Sequence, residues 1–266
     1  MEYSGHLSKL SSSIDSPILY KFNIGDKAIN LNQYLGKNIK IDFDGLINCI
    51  QCGNKIKKTF MQGFCYPCFI DSPRASECIF KPHLCRAHEG VARDMEWSKK
   101  NCLTEQYVYL SLTSNLKVGV TRADQIPTRW IDQGAHHAIK FAKVPNRYLA
   151  GMIEVEISKH ISDRTQWRKM LQGNYNKLNL IDKKNEMSKL LPEKYKQYLI
   201  DDNKVTDLNY PHLDTLDKIK SINIEKTPHV DGQITGIKGQ YLILDNLYVL
   251  NVRKYTGYSF KVELDS

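Results

Sequence analysis

The chain has 266 residues, 41% hydrophobic and 25% charged, the make-up of a polypeptide that buries a core and not of one that stays disordered. No apolar run approaches the roughly 18 residues that cross a bilayer, and the polar start, residues 1–10, holds no signal-peptide core. Composition therefore predicts a soluble, cytoplasmic protein. Lysine and arginine number 38 against 29 acids, a net +9. The excess is local: residues 47–100 hold nine bases to five acids and residues 101–172 hold ten to six, whereas residues 1–46 and 229–266 are balanced. A polyanion such as DNA or RNA would meet that middle stretch first.

Residues 1–46 alternate polar and apolar over 17–22, 27–32 and 39–43, with Gly25 and Gly36 between the runs, which predicts strands. The C-terminal stretch does the same over 233–237, 240–244, 248–253 and 259–264. The two ends also share a pattern. Gly5, Leu7, Leu31-Asn32, Tyr34, Gly36 and Ile39-x-Ile41 parallel Gly232, Ile234, Leu250-Asn251, Tyr255, Gly257 and Phe260-x-Val262. Each end is too short to bury a core alone, so the pattern predicts two halves of one small β-barrel or sandwich, residues 1–46 with 229–266.

Seven cysteines without a secretory signal read as metal ligands and spare thiols, not as disulfides. Cys49, Cys52, Cys65 and Cys68 form C-x2-C-x12-C-x2-C. Two-residue spacing aims both thiolates of a tight turn at one ion, and two such turns complete a tetrahedron, so this set predicts structural zinc. Lys55, Lys57 and Lys58 lie on the loop between the turns, placed to face nucleic acid. A second run, Cys78, His83, Cys85 and His88, has four ligand-type side chains, with Cys102 further on. It reads as a second zinc site or as a buried thiol pair with satisfied histidines. Together these define a zinc-binding module over 47–104.

Residues 105–172 carry the chemistry-bearing groups. Residues 107–112 and 117–121 alternate as a hairpin around Ser114-Asn115, Arg129-Trp130 fall on a helix after Pro127, and His136-His137 precede a strand at 139–144. A helix over 148–161 follows, with the stripe Leu149, Ile153, Ile157 and Ile161, and Asp163 caps a short helix holding Trp167, Met170 and Leu171. Glu154 and Glu156 flank that stripe on opposite sides, and Glu156 is within reach of His160. Residues 173–228 read as a polar helical segment, with helices at 183–191 and 193–199 broken by Pro192 and charges of both signs on a solvated face.

The arrangement over about 105–171 resembles the catalytic domain of the GIY-YIG nuclease superfamily. Tyr107-Val108-Tyr109 looks like its first motif, Lys117-Val118-Gly119 like its second, Arg129 falls at its helix arginine, and Ala150-x3-Glu154 resembles the helix carrying its metal-binding glutamate. The resemblance implies Mg²⁺-assisted phosphodiester hydrolysis. Glu154 would hold the ion, Tyr109 would deprotonate or orient the attacking water, and Arg129 would neutralise the phosphorane, with Lys117 or His137 assisting. Periodicity leaves Glu154 and Glu156 open; the resemblance favours Glu154. The second motif departs from the family pattern, because Lys117 stands where the phenol belongs. The chain also resembles an uncharacterised bacterial family that joins a zinc ribbon, this core and the segment 236–241.

The resulting expectation is an α+β protein: a β scaffold from both termini, an inserted zinc ribbon, a GIY-YIG-like core and a polar helical segment. Its expected activity is that of a Mg²⁺-dependent endonuclease. The alternative is a non-catalytic RNA-, DNA- or ribosome-binding zinc protein. A protein–protein adaptor is a third reading, and it predicts affinity nearly independent of salt.

Overall fold

The computed structural model, which describes residues 1–161 and 166–265, divides into two units, Met1–Ile70 with Leu208–Ser266 and Asp71–Asp207. Its strands in chain order are β1 (Glu2–His6), β2 (Ser11–Ser13), β3 (Leu19–Ile24), β4 (Lys27–Asn30), β5 (Asn38–Ile47), β6 (Gln106–Leu112) and β7 (Leu116–Arg122). They continue with β8 (His137–Val144), β9 (Val205–Asp207), β10 (Lys220–Ser221), β11 (His229–Lys238), β12 (Tyr241–Leu244), β13 (Tyr248–Asn251) and β14 (Tyr258–Leu264). The helices are α1 (Tyr66–Asp71), α2 (Met95–Asn101), α3 (Thr128–Asp132), α4 (Arg147–Ser158), α5 (Trp167–Leu171), α6 (Leu180–Leu190) and α7 (Glu193–Lys196). Among the described residues no helix is long and apolar enough to cross a membrane. The helix-capping role expected of Asp163 lies outside the described residues.

The terminal unit holds a seven-stranded sheet, ordered β1-β14-β5-β11-β12-β13-β10, and a three-stranded sheet, β2-β3-β4. Period-two alternation sends Tyr20, Phe22 and Ile24 of β3, Ile39 and Ile41 of β5, and Phe260, Val262 and Leu264 of β14 inward, all buried. The sequence parallel between the ends is a structural one. Each half runs strand, hairpin, 3-10 turn, strand: β1, β3-β4, Leu31–Tyr34, β5 in one, and β11, β12-β13, Val252–Tyr255, β14 in the other. The first strand of each half pairs with the last strand of the other, β1 with β14 and β11 with β5.

The exchange extends to single bonds. Leu7 N–H donates to the Tyr258 carbonyl at 2.8 Å and its own carbonyl accepts from Gly257 N–H at 2.9 Å. Correspondingly, Ile234 N–H donates to Lys37 at 2.8 Å and its carbonyl accepts from Gly36 N–H at 2.7 Å. Gly36 (φ +85°) and Gly257 (φ +88°) turn the chain after the 3-10 segments into the left-handed region that disfavours a Cβ. At Gly257 a Cβ would also stand 2.5 Å from the Asn48 carbonyl oxygen.

The central unit is a four-stranded antiparallel sheet, β7-β6-β8-β9. One face of the β6-β7 hairpin gives Val108, Leu110, Leu112, Leu116 and Val118 to a core shared with Ile139, Phe141, Ala150, Ile153 and Ile157. The other face carries Tyr107, Tyr109, Ser111, Lys117, Gly119 and Thr121.

Two expectations change. Residues 173–228 are not a solvated helical arm: Leu180, Met187, Leu191 and Tyr195 enter the central core, and β9 extends its sheet. Even Lys184 is buried, its ammonium donating to the Asp202 carbonyl at 2.8 Å. The apolar positions 180, 187 and 191 had the spacing of one helix face, diluted by charged neighbours. The segment 47–104 is also not one module, because its two cysteine groups fall in different units, the first built on the end of β5 and the second packed beneath α4.

Candidate functional site

In the terminal unit, Cys49, Cys52, Cys65 and Cys68 place their sulfurs within 4.8 Å of one another. Cys49 follows β5 and Cys65 precedes α1, so a strand end and a helix start fix the two turns. The Cys52 and Cys65 sulfurs are 3.8 Å apart. Four sulfurs about 2.3 Å from one ion in a tetrahedron lie about 3.8 Å apart, so the spacing suits zinc. Backbone N–H groups complete the turn: Gln51 and Cys65 donate to the Cys49 sulfur at 3.4 and 3.2 Å. Burial raises the Cys49 thiol's pKa, but backbone donors, those of Cys52 and Cys65 foremost, more than offset it and hold the pKa at about 6. Lys55, Lys57 and Lys58 between the turns are exposed, with Lys58 over the Phe60 ring at 5.3 Å.

In the central unit the metal-compatible group is Cys78, Cys85 and Cys102. It differs from the expected Cys78, His83, Cys85 and His88. The His88 ring stacks on Tyr148 at 4.3 Å, and His83 sits in a 3-10 turn, Pro82–Leu84, whose backbone is pressed against Gly151 of α4. Cys102 takes their place because α2 ends at Asn101 and the residue that caps it, Cys102, turns inward. The Cys78 and Cys85 thiols donate toward Cys102, and the Arg147 guanidinium lies beside it, so its pKa falls well below the ordinary thiol range. Both cysteine groups can hold zinc.

Of the remaining predicted residues, Arg129 and Glu154 converge on Tyr109. Its side chain is fully buried, its ring meets the Trp130 edge at 6.0 Å, and its hydroxyl donates to Gln133 Oε1 at 2.8 Å. Opposite it in the ladder stands Gly119, where a Cβ would lie 2.5 Å from the phenol oxygen. Burial raises the Tyr109 pKa, the Arg129 guanidinium opposes that rise, and the Glu154 carboxylate adds to it. The phenol is therefore a proton donor with a cation and an anion beside it, held by β6, α3 and α4. Arg129, Glu154 and Lys117 are half-buried. Lys117 leaves β7 on the same face as Gly119, two residues away. Glu154, not Glu156, is the acid that acts on Tyr109, while Glu156 pairs with Lys159 and not with His160.

His137 opens β8 at a different place. Its Nδ1 is 2.6 Å from Asp207 Oδ1 and its Nε2 3.0 Å from the Tyr175 hydroxyl, while His136 stacks on Tyr175 at 4.0 Å. Sequence reasoning missed Gln133, Tyr175, Arg147 and Asp207 as partners. Nothing in the local pattern marks them, since each reaches its site through tertiary packing.

A family model described as "Protein of unknown function (DUF2797)" matches residues 36–260. No curated protein and no solved structure matches the chain. With the match spanning most of the polypeptide, through both cysteine groups and the Tyr109 cluster, the chain belongs to DUF2797, a family of unknown function.

Proposed function

We propose that the chain is a nucleic-acid-binding zinc protein whose central unit, in a GIY-YIG-like arrangement, engages and hydrolyses a phosphodiester at Arg129, Lys117 and Glu154. The observation that carries this reading is the convergence of a cation, an anion and a buried phenol from three separate elements. Convergent charged groups around a perturbed titratable residue favour a functional site over a structural one. The basic excess over 47–172 supports a polyanionic partner.

The donor set fits Mg²⁺ in one respect: the half-buried Glu154 carboxylate offers a single anchoring ligand, and this ion takes its remaining ligands from water and phosphate oxygens. Glu154 would hold it, and the ion would supply Lewis-acid polarisation of the phosphoryl oxygen. Arg129 stabilises charge that develops on the equatorial oxygens. Lys117 adds a point charge to one phosphate oxygen. Tyr109 has no exposed surface and a raised pKa, so its role is to hold Gln133 and the end of α3 in place, not to remove a proton from water.

That burial also favours a second reading, in which the core is a non-catalytic recognition surface. The two separate in an assay of Mg²⁺-dependent cleavage and of binding, with single- and double-stranded DNA and RNA. Hydrolysis predicts cleavage that Glu154→Ala abolishes while binding survives. Salt-sensitive binding with no cleavage by the wild type selects the recognition surface. Cleavage that persists in Glu154→Ala removes Glu154 as metal ligand, and a protein that neither binds nor cleaves removes both readings.

A further inference from the structure

We propose that Cys78, Cys85 and Cys102 hold a second zinc ion as a three-thiolate centre whose charge is balanced by the buried Arg147. Arg147 is nine-tenths buried at the first position of α4, yet no carboxylate pairs with it among the described residues. Its Nη2 donates to the Asn101 carbonyl at 3.0 Å, its Nε has no partner, and its guanidinium lies against the Cys102 sulfur. A buried guanidinium cannot lose its proton, so it needs a negative neighbour. The Arg147 guanidinium touches a neutral carbonyl oxygen, that of Asn101, and the Cys102 sulfur, which can carry a negative charge.

Three thiolates with one Zn²⁺ carry a net charge of minus one, which the arginine cancels. A lone Cys102 thiolate would balance the arginine as well, so the arginine excludes only an uncharged trio, and the convergence of three sulfurs is what points to the metal. The geometry agrees. The three sulfurs lie within 4.8 Å of one another, Cys85 and Cys102 are buried, and Ala87, Trp97, Leu103 and Tyr148 wall the group. The backbone ties the two partners together, because Arg147 N–H donates to the Cys102 carbonyl at 2.8 Å. Three protein ligands leave the fourth tetrahedral position to water or another small ligand. Soft thiolates select zinc over magnesium or calcium.

Zinc and thiol counts on the purified full-length protein test this without any assay of nucleic-acid cleavage. The expected result is two zinc ions per chain and seven titratable thiols after denaturation in chelator. One zinc per chain, or a disulfide within the trio, overturns the proposal. Cys102→Ser is expected to keep one zinc, that of the Cys49 group. His83→Ala and His88→Ala are each expected to keep two, and loss of an ion from either would overturn the three-ligand assignment. Arg147→Met is expected to release the second zinc to a colorimetric chelator at least tenfold faster than the wild type, with Arg147→Lys restoring most of the difference. An unchanged rate in Arg147→Met would overturn the charge-balance role.

Discussion

At the scale of single residues, two positions turn burial into measurable consequences. Gly119 exists to admit the Tyr109 phenol, since a methyl there would meet the oxygen at 2.5 Å and the ring carbon beside it at 2.6 Å. The ring is walled by Trp130 and Gln133 and cannot swing aside. Gly119→Ala should therefore destabilise by about 1–3 kcal/mol as an overpacked site, read as a lower denaturant midpoint. The other position is Lys238, at the end of β11, 6% exposed with its ammonium 5.3 Å from the Tyr210 ring centre. Burial lowers its pKa to about 7. The folded state thus holds fewer protons than the unfolded chain between pH 7 and the ordinary lysine range, so stability rises with pH across that window and is least below pH 7. Lys238→Met should flatten that rise and stabilise the protein near neutral pH, by at most about 5 kcal/mol. Thermal unfolding from pH 6 to 10 checks both the slope and its loss.

At the scale of elements, helix α4 shows what a sequence states and what it leaves out. Its stripe Ile153 and Ile157 is legible from periodicity, and Asn146 caps it by accepting from Leu149 N–H at 2.9 Å. The choice between Glu154 and Glu156 is not legible, because it depends on where Tyr109 sits, and strand placement is a tertiary fact. Gly151 carries the sharpest test. Alanine in a helix gains about 1 kcal/mol over glycine. Here, however, a Cβ would stand 2.1 Å from the His83 backbone nitrogen. Backbone cannot move aside as a side chain can, so the clash wins, and Gly151→Ala should lower stability despite its better propensity. An unchanged or higher midpoint would contradict the packing of the Pro82–Leu84 turn on α4. The two cysteine groups divide along the same line. Cys49, Cys52, Cys65 and Cys68 declare themselves by spacing, whereas Cys102 joins Cys78 and Cys85 only because α2 carries it back to them.

At the scale of the whole molecule, the repeat in the terminal unit was readable because turns demand particular residues, Gly36 and Gly257 at positive φ, although Asn30 and not Asn32 is the counterpart of Asn251 ahead of its 3-10 turn. The exchange of first strands between the halves was not readable, since hydrophobic alternation does not name a partner. The charge distribution, by contrast, is a direct property of the sequence, and it supports the proposal that the chain binds a polyanion. The measurement that tests this most directly is the affinity for labelled single- and double-stranded nucleic acid as salt is varied. A polyanion-binding chain is expected to show an observed binding constant that falls linearly on a log–log plot. Arg129→Ala and Lys117→Ala should each make that slope shallower by about one ion. An affinity independent of salt, or variants that run parallel to the wild type, would contradict it.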